Sequence, residues 1–110
     1  MTLTELRYIV TLAREQHFGR AAERCFVSQP TLSIAVKKLE EELGIPLFER
    51  SKNSVKVTPV GDKIVQQAQR VLEQAEAIAA LGQQRELFGG RFAVDDFGGR
   101  EQNVVAVKEA

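Results

Sequence analysis

The chain has 110 residues with 15 basic and 15 acidic side chains, and its 44% hydrophobic and 27% charged shares suit one small water-soluble domain. Its single cysteine excludes an internal disulfide and a cysteine-based metal site. No apolar run is long enough to cross a bilayer and no signal peptide opens the chain, so we expect a cytoplasmic location.

The first helix is predicted from Leu3 to about Gln16. Thr2 and Glu5 form a capping-box pattern, in which a hydroxyl and a carboxylate each satisfy a free amide at the helix start. Apolar residues then recur at three- and four-residue spacing, which places them on one face. They are Leu3, Leu6, Ile9, Val10 and Ala13. We expect this helix to support a core and assign no chemistry to it.

Two side chains with reactive chemistry stand alone. His17 lies at the break after the first helix, without a second histidine or an acidic partner nearby, and is expected to cap a helix or lie on the surface. Cys25 has no resolving cysteine, so a buried small side chain is favoured over a thiol sensor.

A short second helix is predicted over residues 18–25, followed by a tight turn. Ala21 and Ala22 allow another helix to approach closely, as the crossing inside a helix-turn-helix requires. Phe26 and Val27 form the turn, and we expect both apolar side chains to fill the gap between the two helices.

The third helix begins after Ser28, a good N-cap, and Pro30 lies in its first turn, where the missing amide hydrogen costs little. Its predicted apolar stripe consists of Leu32, Val36, Leu39 and Leu43. Gly44 is expected to end the helix.

The side chains off that stripe suit DNA recognition. Ile34 falls on the outer face, where an apolar group can contact a thymine methyl, while Gln29 can pair with adenine and Ser33 with several bases. The acidic run 40–42 should point away from DNA. The predicted DNA-binding residues of this helix are Ser28, Gln29, Pro30, Thr31, Ser33, Ile34, Lys37 and Lys38. An ordinary amphipathic helix with a polar start is the alternative, and the preceding small-residue helix and tight turn favour DNA reading.

A small hairpin is predicted next, with strands over residues 47–50 and 55–58 and a turn-rich loop between them. Such a hairpin is a wing, and its tip can reach a phosphate or a narrow minor groove. Arg50, Lys52 and Asn53 are its predicted DNA-binding residues. A hairpin that only faces solvent is the alternative, because polar turns are common.

Thr58 and Pro59 are predicted to start a long helix that continues to about Glu86. Its apolar residues follow a heptad-like rhythm, and a helix this long cannot bury them all against so small a domain. We therefore predict a homodimer. The predicted dimerisation residues are Ile64, Ala68, Val71, Leu72, Ala75 and Ile78. The glycine-rich stretch 87–110 is expected to be a flexible tail of unknown structure.

Residues 1 to about 86 carry a specific set of motifs: FGRAAERCFVSQPTLSIAVKKLEEELGIPLFER from residue 18, then TPVG and the long helix. With these motifs the chain resembles the N-terminal region of LysR-type transcriptional regulators. The run SQPTLS at 28–33, with LEEELG and LFER after it, is the most specific part. The opening TLTELRYIV together with HFGRAAERC is most similar to the peroxide-sensing OxyR branch.

The resemblance implies a mainly helical fold: a winged helix-turn-helix of three helices and a two-stranded wing at 1–58, then a dimerising linker helix at 59–86. In that family, residues matching Gln29, Pro30, Thr31 and Ser33 lie at the DNA interface, and residues near Arg50 approach the backbone or minor groove. The family's effector domain, which carries the OxyR cysteines, has no counterpart in this sequence, so we expect no cofactor and no small-molecule effector site in this chain.

The leading interpretation is a homodimeric module that binds double-stranded DNA sequence-specifically for a transcription regulator. Helix 28–43 would read the major groove and the wing would lie near the minor groove. Because the net charge is zero, binding has to depend on geometry and dimerisation more than on bulk charge. The alternative is an interaction module that pairs with and modulates a full-length regulator. An enzyme is not expected, because no catalytic pairing, metal cluster or nucleotide loop is present.

Overall fold

The computed structural model describes residues 1–52 and 54–83. Their elements are, in order, α1 (Leu3–Glu15), α2 (Phe18–Arg24), α3 (Gln29–Leu43), β1 (Phe48–Arg50), β2 (Val55–Val57) and α4 (Pro59–Gln83). The predicted mainly helical fold with a two-stranded hairpin is thus confirmed. Asn53, the predicted end of the last helix near Glu86 and the predicted tail 87–110 lie outside the described residues.

The capping box predicted at the start of α1 is present. Thr2 accepts a hydrogen bond from the Glu5 amide at 3.1 Å, and the Glu5 carboxylate accepts one from the Thr2 amide at 3.0 Å. The helix ends at Gln16, which adopts a left-handed backbone with φ 57° and donates its N–H to the Leu12 carbonyl at 2.8 Å. Local hydrogen bonding therefore fixes both ends of α1.

The core lies where α1, α2 and α3 pack together, with the hairpin and α4 against it. Its largest fully buried side chains are Ile9, Leu12, Leu32, Val36, Leu39 and Leu47. Two residues of the predicted stripes are wrong, since Leu3 is 47% exposed and Leu43 is 36% exposed. Both lie in the terminal turn of a helix, where no neighbouring element covers the apolar face.

The hairpin is joined directly to the helical core. Its strands pair antiparallel, with Phe48 opposite Val57 and Arg50 opposite Val55. The Val55 amide also donates to the carbonyl of Gln16 at 3.1 Å, which connects β2 to the end of α1. The position of the hairpin is therefore set by main-chain hydrogen bonds as well as by side-chain packing.

Thr58 caps α4 as predicted and anchors it to the hairpin. Its hydroxyl donates to the Pro46 carbonyl at 2.9 Å and accepts from the Gly61 amide at 2.9 Å, and its own amide donates to the Leu47 carbonyl at 3.0 Å. Gly61 lies so close to Leu47 that an added Cβ would overlap the Leu47 carbonyl oxygen. The first turn of α4 therefore rests on the backbone that leads into β1.

The compact unit Met1–Gln74 contains the core, the hairpin and the first part of α4, and the described residues of the second unit, 75–83, are helical. Within the first unit, Val65 and Ala68 are buried in the core. Val71 is 44% exposed, and in the second unit Ile78 is 70% exposed. No described helix is long and apolar enough to span a membrane.

Candidate nucleic-acid interface

The second and third helices form a closely packed pair. Ala21 and Ala22, at 0% and 3% exposure, lie in the core that both helices share. The chain turns immediately after α2, where the amide of Val27 donates to the Ala22 carbonyl at 3.0 Å and that of Phe26 to the Glu23 carbonyl at 3.1 Å. Small side chains and a tight turn are what a helix-turn-helix crossing needs.

The prediction for Phe26 is wrong. Its side chain is 94% exposed and does not fill the gap between the two helices, whereas Val27 is half-buried against the core as predicted. The physical reason is the left-handed backbone of Phe26, with φ 60°, which turns this side chain away from the helix pair.

Two hydroxyls cap the start of α3. The Ser28 oxygen accepts from the Thr31 amide at 3.2 Å and donates to the Thr31 hydroxyl at 2.8 Å. No acidic residue lies in the first turn. The positive end of the helix dipole therefore has no carboxylate beside it, unlike the start of α1, where Glu5 completes the cap.

The predicted DNA-binding residues of α3 share its outer side. The inner face buries Leu32, Val36 and Leu39, and Ile34 on the other side is 63% exposed. Ser33 is half-buried at the edge between the two faces. The remaining predicted residues are all exposed: Ser28, Gln29, Pro30, Thr31, Lys37 and Lys38. The structure thus brings an apolar side chain, polar side chains and two cations onto one solvent-facing surface.

The acidic run in α3 does not act as a unit. Glu40 is part-buried, and its Oε2 accepts from the amides of Leu47 at 2.8 Å and Phe48 at 3.2 Å. Glu42 accepts from the amine of Met1 at 3.0 Å, and this hydrogen bond raises the pKa of the amine above its ordinary value of 8.0. The sequence analysis missed the role of Glu40, because its partners are main-chain amides brought close by the loop after α3.

Arg50 connects three elements. Its guanidinium lies 3.8 Å from the second carboxylate oxygen of Glu40 in α3 and 4.9 Å from the ring centroid of Phe18 in α2. The side chain is 41% exposed, so one side of the guanidinium still faces solvent. A residue predicted to contact DNA therefore also ties the wing to both helices of the pair.

The tip of the wing is closed by two serines. The Ser51 amide donates to the Ser54 carbonyl at 2.9 Å, and the two hydroxyl oxygens are 2.9 Å apart. Lys52 is exposed between them. An open cleft of about 370 Å³ separates this tip from the starts of α2 and α3. Its lining includes His17, Gly19, Gln29, Ser51, Lys52 and Ser54.

The capping role predicted for His17 is confirmed, since its Nδ1 accepts from the Arg20 amide at 3.1 Å. Cys25 is half-buried at the end of α2 and is not the fully buried side chain that was predicted. Across residues 1–52 and 54–83, no group of three histidine, cysteine or acidic side chains is arranged to hold a metal ion.

Comparison with known proteins gives a consistent family. Residues 3–62, more than half of the chain, match the family described as bacterial regulatory helix-turn-helix protein, lysR family. The chain is 44% identical over 85 residues to the hydrogen peroxide-inducible genes activator of Pectobacterium carotovorum subsp. carotovorum, and equally to the DNA-binding transcriptional dual regulator OxyR of Escherichia coli K12. Both matches cover 77% of this chain and 28% of the relative, so the chain spans just over a quarter of these curated relatives.

Solved structures agree with this fold. A variant of full-length OxyR from Pseudomonas aeruginosa is similar with a TM-score of 0.73 and 75% identity, over 76% of this chain and 28% of that one. The DNA-binding domain of BenM, solved in complex with benA site 1 DNA, is similar with a TM-score of 0.72 and 39% identity, over 76% of this chain and 98% of that one. With its close helix pair, its wing and its long following helix, the chain belongs to the LysR family of bacterial regulatory helix-turn-helix proteins.

Proposed function

We propose that this chain binds double-stranded DNA with sequence preference, as a homodimer, and is the DNA-binding part of a cytoplasmic transcription regulator rather than an enzyme. The observation that carries the proposal is the start of α3, where Gln29, Pro30 and Ile34 are exposed beside a cap without carboxylates. The similar BenM domain, which was solved on DNA, and the OxyR relatives, which are described as regulators, support it.

In this proposal α3 lies in the major groove. The Gln29 amide has the donor and acceptor pair that matches adenine, the Ile34 methyls suit a thymine methyl, and Ser33 can bond to several base edges. Cations and hydroxyls around them hold the phosphates, and the wing reaches toward the minor groove. These positioning residues are Ser28, Thr31, Lys37, Lys38, Arg50, Lys52 and Asn53.

The experiment for DNA recognition is selection of bound duplexes from a random pool, followed by fluorescence anisotropy on a selected and a scrambled duplex. Gln29→Ala should reduce the affinity ratio between the two duplexes, because a base contact is lost. Lys52→Ala should weaken both equally and reduce the slope of log affinity against log salt by about 0.9, the value for one phosphate contact. Base reading is contradicted if Gln29→Ala leaves the affinity ratio unchanged.

The homodimer proposal rests on the exposed apolar side chains of α4. Val71, Ala75 and Ile78 follow the spacing of one helix face, and Val71 and Ile78 are 44% and 70% exposed. Ile64 and Leu72 are half-buried against the core and offer part of their surface. Ala68 is only 3% exposed and belongs to the core, so the proposed interface leaves it out.

Sedimentation equilibrium tests the dimer. Ile78→Asp places a charge in the proposed interface and should shift the protein to monomer at micromolar concentration, with unchanged helical circular dichroism. Glu76→Gln, an exposed change in the same helix, is the matched control and should leave the mass unchanged. A wild-type chain that is monomeric at the highest soluble concentration would contradict the homodimer.

The exposed side chains of α4 also favour a second candidate function, in which this chain pairs with a longer LysR-type regulator and modulates it. Mixing the chain with tagged full-length OxyR from Pseudomonas aeruginosa, a similar protein at 75% identity, would then yield mixed dimers. A gel shift on a selected duplex separates the two functions, because only the first requires the chain to retard the duplex alone.

A further inference from the structure

We propose that His17 donates a hydrogen bond to a phosphate of the DNA backbone, from the cleft between α2, α3 and the wing. The inference rests on the proposed DNA binding and adds a contact to it. In this arrangement one strand of the duplex passes the mouth of the cleft while α3 reads the adjacent bases. His17 then caps α2 with one ring nitrogen and holds the DNA with the other.

The cap decides which ring nitrogen carries the hydrogen. The Arg20 amide donates to Nδ1 at 3.1 Å, so Nδ1 acts as an acceptor and carries no hydrogen. A neutral imidazole that accepts at one nitrogen is a donor at the other, so the Nε2–H is available to a ligand. Phosphate oxygens only accept hydrogen bonds from a protein, which matches this group.

Gly19 leaves the imidazole its place beside Gln29. A Cβ added at Gly19 would lie 2.9 Å from Cε1 of His17, closer than carbon atoms approach each other, and 3.7 Å from Oε1 of Gln29. The three residues are therefore immediate neighbours. A phosphate contact from His17 would consequently lie next to the amide that we assign to base reading.

The charges around the cleft suit an anion. Lys52 lines the cleft from the wing, and its tip is held by the hydrogen-bonded pair Ser51 and Ser54. An exposed ammonium and an imidazole N–H on opposite walls are both donors, and an elongated polar cleft fits a sugar–phosphate strand. The exposed arginines of α2, Arg20 and Arg24, instead lie 3.7 Å and 3.4 Å from the Glu15 carboxylate.

Two substitutions separate the cap from the contact. His17→Asn keeps a good N-cap acceptor but is too short to reach a phosphate, so thermal stability should stay near wild type while affinity falls roughly tenfold, as for one charged hydrogen bond. The loss should be equal on the selected and the scrambled duplex, because a phosphate contact carries no sequence information. His17→Ala loses the cap as well and should also melt at a lower temperature.

A methylphosphonate scan of the selected duplex identifies the phosphate. Replacing the contacted phosphate should weaken wild type and leave His17→Asn unaffected, and Lys52→Ala should lose its sensitivity at that position or the adjacent one. If His17→Asn binds like wild type, or keeps its deficit at every methylphosphonate position, the His17 assignment is overturned while DNA binding stands. If wild type binds no duplex, both the assignment and the proposed function are overturned.

Discussion

Gly61→Ala tests how closely α4 is packed onto the rest of the domain. A Cβ at this position would overlap the carbonyl oxygen of Leu47 and lie 2.9 Å from both the Leu47 carbonyl carbon and the Thr58 hydroxyl. Both Leu47 atoms belong to the main chain, so no side-chain rotation relieves the contact. The first turn of α4 has to move away from the hairpin.

The expected cost follows from the groups that such a movement separates. Overpacking a tight site costs about 1–3 kcal/mol, and each buried hydrogen bond that weakens at Thr58 adds about 1 kcal/mol. Alanine returns about 1 kcal/mol of helix propensity over glycine. With two of the Thr58 bonds weakened, the free energy of unfolding should fall by about 3 kcal/mol, and the melting temperature by roughly 10–20 °C.

Thermal and urea unfolding at matched protein concentration measure the effect, because a dimer's stability depends on concentration. Gly82→Ala is the control: it lies in the same helix, and an added Cβ meets nothing within 4 Å. Its melting temperature should stay constant or rise. A Gly61→Ala variant as stable as Gly82→Ala would refute the close packing of α4 on Leu47.

Two other substitutions test features that the structure revealed. Phe26→Gly should stabilise the domain by up to about 1 kcal/mol, because the side chain is 94% exposed and glycine adopts φ 60° without strain; a clear loss of stability on urea unfolding would show that the ring makes a contact. Glu40→Ala leaves the amides of Leu47 and Phe48 without an acceptor and should lower the free energy of unfolding by about 2 kcal/mol. Glu40→Gln retains one acceptor oxygen and should lose less than half as much; equal losses would contradict the proposed role of the carboxylate in the main-chain hydrogen bonds.

The limits of the elements were predictable because their signals are local. Thr2, Ser28 and Thr58 each hydrogen-bond an amide three residues ahead, and Gly44 adopts the left-handed backbone, with φ 76°, that ends α3. Such groups specify a helix end without reference to the rest of the fold. The outer side of α3 was predictable for a related reason, since helical periodicity fixes which side chains oppose Leu32.

The remaining features depend on information that periodicity lacks. The position of Phe26 depends on the sign of one backbone angle, which an apolar residue type does not reveal. The role of Glu40 depends on amides seven and eight residues away, positioned by a loop of irregular backbone. The overextended stripes at Leu3 and Leu43 show that periodicity predicts which face is apolar but not how far a neighbouring element covers it.

The hydroxyl cap of α3 places stability and ligand binding in opposition at one position. Aspartate caps a helix as well as serine does and, at a helix start, adds about 0.3–1 kcal/mol through the dipole. Ser28→Asp is therefore a change that a screen for thermostable variants would retain. In the proposed complex, however, the new carboxylate would face the phosphates of the duplex. Engineering this domain for heat resistance should therefore keep Ser28 fixed and seek gains in helix starts that do not face DNA.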